Sequence, residues 1–395
     1  MFSDNPETFC DSAPGLWPCL ALRHCRRLGP KAWKILLDHY GSADEAVLNS
    51  DEWENLKLID PKATAEFRQG LWRAGAQKEL ELARESKACL ITWDDPRYPV
   101  SLRHIFAPPL LLYALGDLSL LKNAAVAVVG ARKASPESLD ITAEIAAGLS
   151  KAGITVISGL AVGIDGQAHQ AAMTGPGSSI AVMATGIDLL YPEQNRSLWL
   201  ALKEQGLLLT EFAPGTPALP AYFPQRNRII SALSLGVVLT QAGIKSGALI
   251  TANLAMEYGR EVFALPGPAR DEHFAGCNAI IRQGAHLTQS LEDIIGVLSR
   301  RLKEYSLPIA MAKPAEKNKA GPAEAIAEKK SVRLPIDLSP DEKAVVALLQ
   351  GQEQAHIDQL TRELDLPAAK INSLLLILEI KGLIGQKPGM MYYKR

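Results

Sequence analysis

The sequence has few cysteines, and they follow no pairing pattern. Five cysteines are scattered over 395 residues, at spacings that match neither a disulfide framework nor a zinc site. This indicates a reducing compartment, and we expect the protein in the cytoplasm. The first residues, MFSDNPETF, are acidic rather than apolar, unlike a signal peptide. No apolar run is long enough to span a bilayer, so we expect no membrane partner.

The chain also carries almost no net charge and no recognisable catalytic motif. The formal net charge is −1, so the chain has no global positive field, and any nucleic-acid site must be a local patch. No Walker A sequence, metal-ligand spacing or nucleophile–base pair is recognisable. The sequence therefore predicts a protein that is not an enzyme and that has no metal or cofactor.

Hydrophobic periodicity divides the chain into four segments. Residues 1–84 contain short amphipathic stretches such as LGPKAWKILLDHY and predict a small helical domain. Residues 85–305 alternate short apolar runs with amphipathic stretches. Residues 306–338 are rich in Lys, Ala, Glu and Pro and predict a linker. Residues 339–395 predict three helices and a β-wing, the order of a winged-helix domain.

The long second segment predicts a doubly wound α/β domain with a mostly parallel sheet. Its apolar runs are hydrophobic on both faces, as buried parallel strands require. The predicted strands are ACLITW, LLLYALG, AVAVVG, ITVISG, SSIAVMA, GLLLTEF, GVVLTQA and EVFALPG, with HLTQ as a further candidate.

The stretch ISGLAVGIDGQAH joins a predicted strand to a predicted helix. Gly159 and Gly163 allow close approach of a ligand to the backbone, and free amides at a helix N-terminus suit phosphate. Its spacing is not that of a dinucleotide-binding fingerprint, and tight turns alone explain it equally well. Asp165 and His169 are spaced as an acid–base pair on one helix, although capping by Asp165 and packing of His169 is the favoured interpretation.

Two further strands end in polar, glycine-containing loops. In VVGARKAS, Arg132 and Lys133 follow the strand and fall near the carboxyl edge of the sheet, where open α/β sheets bind ligands. In QAGIKSGALITA, Lys245, Ser246 and Gly247 combine a cation, a hydroxyl and a flexible backbone, which is typical of an anion site. A solvated loop is the alternative interpretation for VVGARKAS.

The stretch FPQRNRII places two arginines beside an apolar run. A helix from Pro224 would point Arg226 and Arg228 in nearly opposite directions, whereas an extended segment would put them on one side. Because buried unpaired charge is costly, they must meet an external anion or an internal partner. A phosphate contact is expected more strongly of Arg226 and Lys245 than of Arg228, for which an internal ion pair is the alternative. Phe223 is either a stacking platform or a core side chain.

Several motifs together resemble the DNA-processing protein A family (DprA, also called Smf). They are SGLAVGIDGQAHQAA, FPQRNRIISALS, KSGALITANLAMEYGREVFALPG and GCNAIIRQGA, and the resemblance covers roughly residues 85–300. It implies an extended Rossmann-like domain that binds single-stranded DNA and forms homodimers. It also implies loading of the RecA recombinase and protection of incoming strands during natural transformation. The helical front and the tail then correspond to a sterile-alpha-motif-like domain and a winged helix.

The resemblance implies a set of DNA-binding positions on the second segment. They are Arg132, Ser158, Gly159, Gly163, Asp165, Phe223, Arg226, Asn227, Arg228, Lys245, Ser246, Gly247 and Asn278. One motif departs from the family, since Ala131 stands where a serine is usual and a hydroxyl contact to phosphate is lost.

The predicted winged helix carries little positive charge where it would meet DNA. The third helix of the tail has only two lysines, Lys370 and Lys381, with Glu379 against them, which predicts weak binding to duplex DNA.

The alternative to a DNA-binding mediator is a Rossmann-type enzyme that acts on a nucleotide or a phosphorylated metabolite. In that case Asp165 and His169 would be its acid–base pair.

Overall fold

The structure is a computed structural model. It describes residues 13–55, 59–304, 338–350, 354–381, 383–387 and 390–394. The chain divides into two compact units, Met1–Ile294 and Ile295–Arg395. Within the described ranges, no helix combines the length and the apolar character needed to cross a membrane. The predicted linker, 306–338, lies outside the described residues except at its last position.

The bounds of the elements are as follows. The helices are α1 (Leu16–His24), α2 (Pro30–Tyr40), α3 (Ala43–Leu48), α4 (Pro61–Arg68), α5 (Arg73–Ser86), α6 (Val100–Arg103), α7 (Pro136–Lys151), α8 (Ile164–Ala172), α9 (Arg196–Gln205), α10 (Tyr222–Leu233), α11 (Gly247–Glu257), α12 (Ala275–Arg282), α13 (Leu291–Glu304), α14 (Pro340–Gln350), α15 (Ile357–Leu364) and α16 (Ala368–Ile380). The strands are β1 (Cys89–Thr92), β2 (Leu111–Gly116), β3 (Ala125–Val129), β4 (Thr155–Ser158), β5 (Ser179–Val182), β6 (Leu207–Thr210), β7 (Gly236–Leu239), β8 (Glu261–Ala264), β9 (His286–Leu287), β10 (Ala355–His356), β11 (Ile384–Lys387) and β12 (Met391–Lys394). Short 3₁₀ turns occupy Ser50–Glu52, Leu118–Lys122 and Glu193–Asn195.

Nine strands of the first unit's described residues form one sheet in the order β1-β2-β6-β5-β4-β3-β7-β8-β9. The seven strands from β6 to β9 in this order are parallel. At the other end β2 pairs antiparallel with both β6 and β1. Strands β3 to β7 are buried along their whole length, because helices cover both faces of a doubly wound sheet. The predicted α/β fold is confirmed, including HLTQ as the two-residue β9.

The order of the strands reverses at β3. The chain first proceeds from β3 to β4, β5 and β6 on one side, and then returns to place β7 against the other side of β3. The loops after β3 and β7 therefore lead into helices on opposite faces, and a crevice opens at the carboxyl edge between them. Every basic loop singled out in the sequence follows one of these strands.

The front helices share a core with this sheet. Leu16 and Leu20 of α1 belong to one buried cluster with Leu90 of β1 and Leu111 of β2. Burial of these side chains stabilises both the front helices and the sheet, since each large apolar side chain adds about 1.5–3 kcal/mol to the free energy of unfolding. A separate folding domain over residues 1–84 stays a prediction.

The last unit has the predicted winged-helix elements. Helices α14, α15 and α16 enclose a core that includes Leu360 and Leu375, beside a small sheet in the order β10-β12-β11. Lys370 in α16 and Lys381 at its C-terminal end each form an ion pair. Lys370 Nζ lies 2.7 Å from Asp341, and Lys381 Nζ lies 2.6 Å from Glu342.

Candidate nucleic-acid interface

The loops after β3 and β4 meet at the carboxyl edge. Gly163 is the N-cap of α8 and has a φ of 81°, a conformation that favours glycine. A Cβ atom there would lie 2.4 Å from the carbonyl oxygen of Ala131, so a larger residue would push the loops apart. The amide of Ile164 donates a hydrogen bond of 3.2 Å to the same oxygen. The glycine that the sequence singled out is thus required for loop packing.

A cavity of about 190 Å³ opens beside these loops. It is lined by Arg132, Gly159, Leu160, Ala161, Val162, Met183, Ala184, Thr185, Tyr191, Pro192, Gln194 and Phe223. The guanidinium of Arg132 lies over the ring of Phe223, 5.6 Å from its centroid, and the ring of Tyr191 packs edge-on against Phe223 at 5.6 Å. Tyr191 is 43% exposed. The mouth of the cavity therefore offers a cation and two aromatic rings to solvent.

Arg226 lies under this cavity and not at its mouth. Its side chain is buried, and Nη1 donates to the carbonyl oxygens of Gly159, at 2.7 Å, and of Val182. A Cβ atom at position 159 would lie 2.6 Å from the guanidinium, so the glycine allows the arginine to approach. Burial lowers the pKa of Arg226 to about 10, and Asp165 acts in the opposite direction. Arg226 stays charged at neutral pH and fixes the cavity floor.

Arg228 forms an internal ion pair. The segment is helical from Tyr222, and Arg228 Nη2 on this helix donates to the carboxylate of Glu211, just after β6. Both side chains are buried, at 9% and 8% exposure. Burial raises the pKa of Glu211, and Arg228 opposes that rise. The sequence reasoning missed Glu211, because nothing in GLLLTEF marks its partner.

Asp165 holds the turn before its helix. Its Oδ2 accepts a hydrogen bond of 3.1 Å from the amide of Gly159, while the cap position belongs to Gly163, so the expected capping role for Asp165 is wrong. Burial raises the pKa of Asp165, and Arg226 acts in the opposite direction. Ser158 is likewise directed inward, since its hydroxyl donates to the carbonyl oxygen of Val128 at 2.6 Å.

Both ring nitrogens of His169 are occupied. Nε2 accepts a hydrogen bond of 3.2 Å from the amide of Leu160, and Nδ1 lies 2.7 Å from Ser179 Oγ. That hydroxyl donates to the carbonyl oxygen of Val156, so Nδ1 carries the proton and donates to Ser179. Burial lowers the pKa of His169 to about 3. The imidazole is neutral and packed beside the helix, as the favoured interpretation expected.

The loop after β7 presents one exposed cation. Lys245 is exposed, and its ammonium forms no ion pair with any residue that the structure describes. Ser246 caps α11 by accepting a hydrogen bond from the amide of Ala248 at 3.3 Å. The first residue of that helix, Gly247, accepts a hydrogen bond from Asn227 Nδ2 at 3.4 Å. The loop is thus tied to α10, and Lys245 is its part that remains available to an anion.

Asn278 stabilises the loop after β8. Its side chain forms two hydrogen bonds with the backbone of Gly267. Oδ1 accepts from the amide at 3.2 Å, and Nδ2 donates to the carbonyl oxygen at 3.0 Å. A structural contact of this kind accounts for the side chain without a ligand.

Eight of the predicted positions fall into two groups. Arg132, Gly159 and Phe223 line the cavity, whereas Ser158, Asp165, Arg226, Asn227 and Arg228 are buried and bonded within the fold. Tyr191 was missed, although it follows a predicted strand in the loop sequence GIDLLYPEQN. An aromatic residue after the carboxyl end of a strand was the signal that could have identified it.

Comparison with known proteins agrees with this architecture. A family model described as DNA recombination-mediator protein A matches residues 89–299, more than half of the chain, and a DprA winged helix domain model matches residues 329–390. This chain belongs to the DprA/Smf family. A relative within the family, Protein Smf of Synechocystis sp., is 35% identical over 335 residues, which cover 80% of this chain and 82% of that protein.

Two solved structures are similar to the chain. The X-ray structure of DprA from Streptococcus pneumoniae superposes with a TM-score of 0.62 at 35% identity, covering 70% of this chain and 95% of that one. A second structure is described as giving insights into the unique single-stranded DNA binding mode of DNA processing protein A from Helicobacter pylori. It gives a TM-score of 0.50 at 30% identity and covers 56% of this chain and 99% of that one.

Proposed function

We propose that this chain binds single-stranded DNA at the carboxyl edge of its sheet and acts as a recombination mediator. The observation that carries the proposal is the cavity mouth, where Arg132 stacks on Phe223 beside the exposed ring of Tyr191. Cations that track phosphates and rings that stack on bases are the usual means of holding a single strand. Lys245, exposed after β7, extends the same basic edge.

The size of the cavity supports a preference for single strands. About 190 Å³ accommodates one unpaired base or a phosphate with its sugar, whereas a duplex keeps its bases stacked inside and cannot present a ring face to Phe223. The description of the H. pylori relative as a single-stranded DNA binder points the same way.

The enzyme alternative is not favoured by the geometry. Its acid–base pair would be Asp165 and His169, yet the carboxylate accepts from the amide of Gly159 and the imidazole is bonded at both nitrogens. A general base needs a free lone pair within reach of its substrate.

We propose that the protein is a cytoplasmic homodimer and that it loads RecA onto the bound strand during natural transformation. The similarity of this chain to other DprA/Smf proteins supports this assignment. A grip on phosphates leaves most bases accessible to RecA, and two linked clefts hold a flexible strand far more tightly than one.

The first test measures binding. A gel shift with oligo-dT and with a matched duplex, at several salt concentrations, should give tighter binding of the single strand and a binding constant that falls with salt. Equal affinity for the two forms would contradict the proposal.

The second test measures mediation. The protein should accelerate RecA ATPase activity or strand exchange on DNA already coated with single-strand-binding protein. A dimer that binds DNA yet gives no acceleration with RecA from its own host would remove the mediator role and leave the DNA-binding role standing.

A further inference from the structure

A chain of buried and partly buried charged groups joins the front helices to α10. It comprises Glu79 on α5, Arg23 on α1, Glu211 after β6 and Arg228 on α10, and we name these four residues the front relay. Arg23 Nε lies 3.1 Å from Glu79 Oε1, and Arg23 Nη1 donates to the carbonyl oxygen of Glu211 at 2.8 Å. The side chain of Glu211 then accepts from Arg228.

Glu79 anchors the outer end of the front relay. It is 5% exposed and also accepts from the hydroxyl of Tyr113 on β2, while His24 Nε2 lies 2.9 Å from its Oε2. Burial raises the pKa of Glu79, but Arg23 and the hydrogen bonds from His24 and Tyr113 outweigh it and hold the pKa below its ordinary value. The carboxylate is thus a fixed anion to which Arg23 is tied.

The inner end of the front relay depends on Arg23. Glu211 Oε1 and Arg228 Nη1 are buried without a hydrogen-bond partner among the described residues, so their ion pair is only half satisfied. A partly satisfied buried pair is sensitive to each charge that remains nearby. Arg23 supplies one such charge and holds the backbone of Glu211.

The helix at the end of the relay carries the nucleic-acid site. On α10, Phe223 lies at the cavity mouth and Arg226 supports its floor through Gly159. Arg228 is two residues further along the same helix. A displacement of the Glu211–Arg228 pair would therefore move the aromatic ring and the floor together, since a helix turn is rigid.

We propose that Arg23 is a positioning residue for single-stranded DNA binding, acting through the front relay on α10. The inference rests on the proposed function for its effect on affinity, but its effect on α10 is independent of any ligand. The front helices are then part of the machinery of the binding site and not an attached module.

The test uses the full chain with Arg23→Gln and a matched control, Arg68→Gln. Arg68 also pairs with carboxylates of the front segment, Asp51 at 3.1 Å and Glu54 at 3.5 Å, and donates to a backbone carbonyl. It loses an ion pair and a backbone contact as Arg23 does, but its carboxylate partners are exposed and its contacts end within the front segment.

Two measurements decide the result. Arg23→Gln should weaken oligo-dT binding about fivefold, which corresponds to about 1 kcal/mol, with an unchanged salt slope because no phosphate contact is lost. It should also speed amide hydrogen exchange in residues 222–233. Arg68→Gln should leave the affinity within about twofold and leave the exchange of α10 unchanged.

Each other outcome has a defined meaning. Unchanged exchange of α10 in Arg23→Gln overturns the inference, and so does equal weakening by both variants. If the unmodified chain does not bind oligo-dT, the proposed function fails and hydrogen exchange alone decides the relay. If Arg23→Gln does not fold, Glu79→Gln replaces it, and the same two criteria apply with a smaller expected effect.

Discussion

Two sets of cations surround the same edge of the sheet, and they differ in what they touch. Arg226 and Arg228 of α10 are buried and bonded to carbonyl oxygens or to Glu211. Arg132 and Lys245, in the loops after β3 and β7, are exposed. The buried set is bonded within the fold, and the exposed set is left to meet an anion.

The physical reason for the difference is the cost of desolvation. A buried cation must be paired within the fold, because an unpaired one costs many kcal/mol, and once buried it does not reach the phosphates of an external strand. An exposed cation keeps its water and can exchange it for a phosphate oxygen. A basic motif in a sequence therefore marks a site without identifying which of its members bind.

The largest expected effect is on stability, from Arg228→Ala. Removal of the arginine leaves Glu211 buried without its partner, which should cost about 3–5 kcal/mol in the free energy of unfolding. Urea denaturation measures this directly. The control is Arg196→Ala, which breaks the exposed 2.7 Å pair with Glu193 and should cost less than about 0.5 kcal/mol. Similar losses in both variants would remove the distinction between the two sets.

Acid should destabilise the fold through the buried side chain of His169. Its pKa falls from 6.5 to about 3 on folding, so the folded state excludes a proton that the unfolded state binds. Stability from this group is complete above pH 6.5 and is lost as the pH falls towards 3, by up to about 1.4 kcal/mol per unit. Denaturation of the protein and of His169→Gln at several pH values measures the difference. Parallel profiles would contradict the prediction.

The exposed set should affect binding and not folding. Arg132→Ala and Lys245→Ala should each weaken oligo-dT binding by about 1 kcal/mol and reduce the salt slope by about 0.7. Their urea midpoints should stay unchanged. Lys151→Ala, an exposed lysine at the far end of α7, serves as the control. An unchanged slope with a lowered midpoint would move that cation to the buried set.

The smallest effect is expected from removal of residues 306–395. The lysines at α16 are already paired with Asp341 and Glu342, so the tail offers little free positive charge on that helix. Single-strand affinity should stay largely intact, since few phosphate contacts are lost. A loss beyond about tenfold in the same gel shift would show that the tail contributes to the site.

The sequence predicted the sheet better than the site. Strands such as AVAVVG are apolar on both faces, and that local signal is enough to find a buried parallel strand. The roles of Arg226 and Arg228 depended on partners far along the chain, the carbonyl of Gly159 and the carboxylate of Glu211. No periodicity links such positions, so the sequence could locate the motif and list both alternatives but could not choose between them.

The contact between Gly159 and Arg226 has a consequence for how this family can vary. The two residues share one space, because any side chain at position 159 would overlap the guanidinium. Replacement of the glycine alone creates a clash, and replacement of the arginine alone removes two hydrogen bonds to the carbonyl oxygens of Gly159 and Val182. Each single step is therefore costly, and we expect the two positions to be retained or replaced together over the course of evolution.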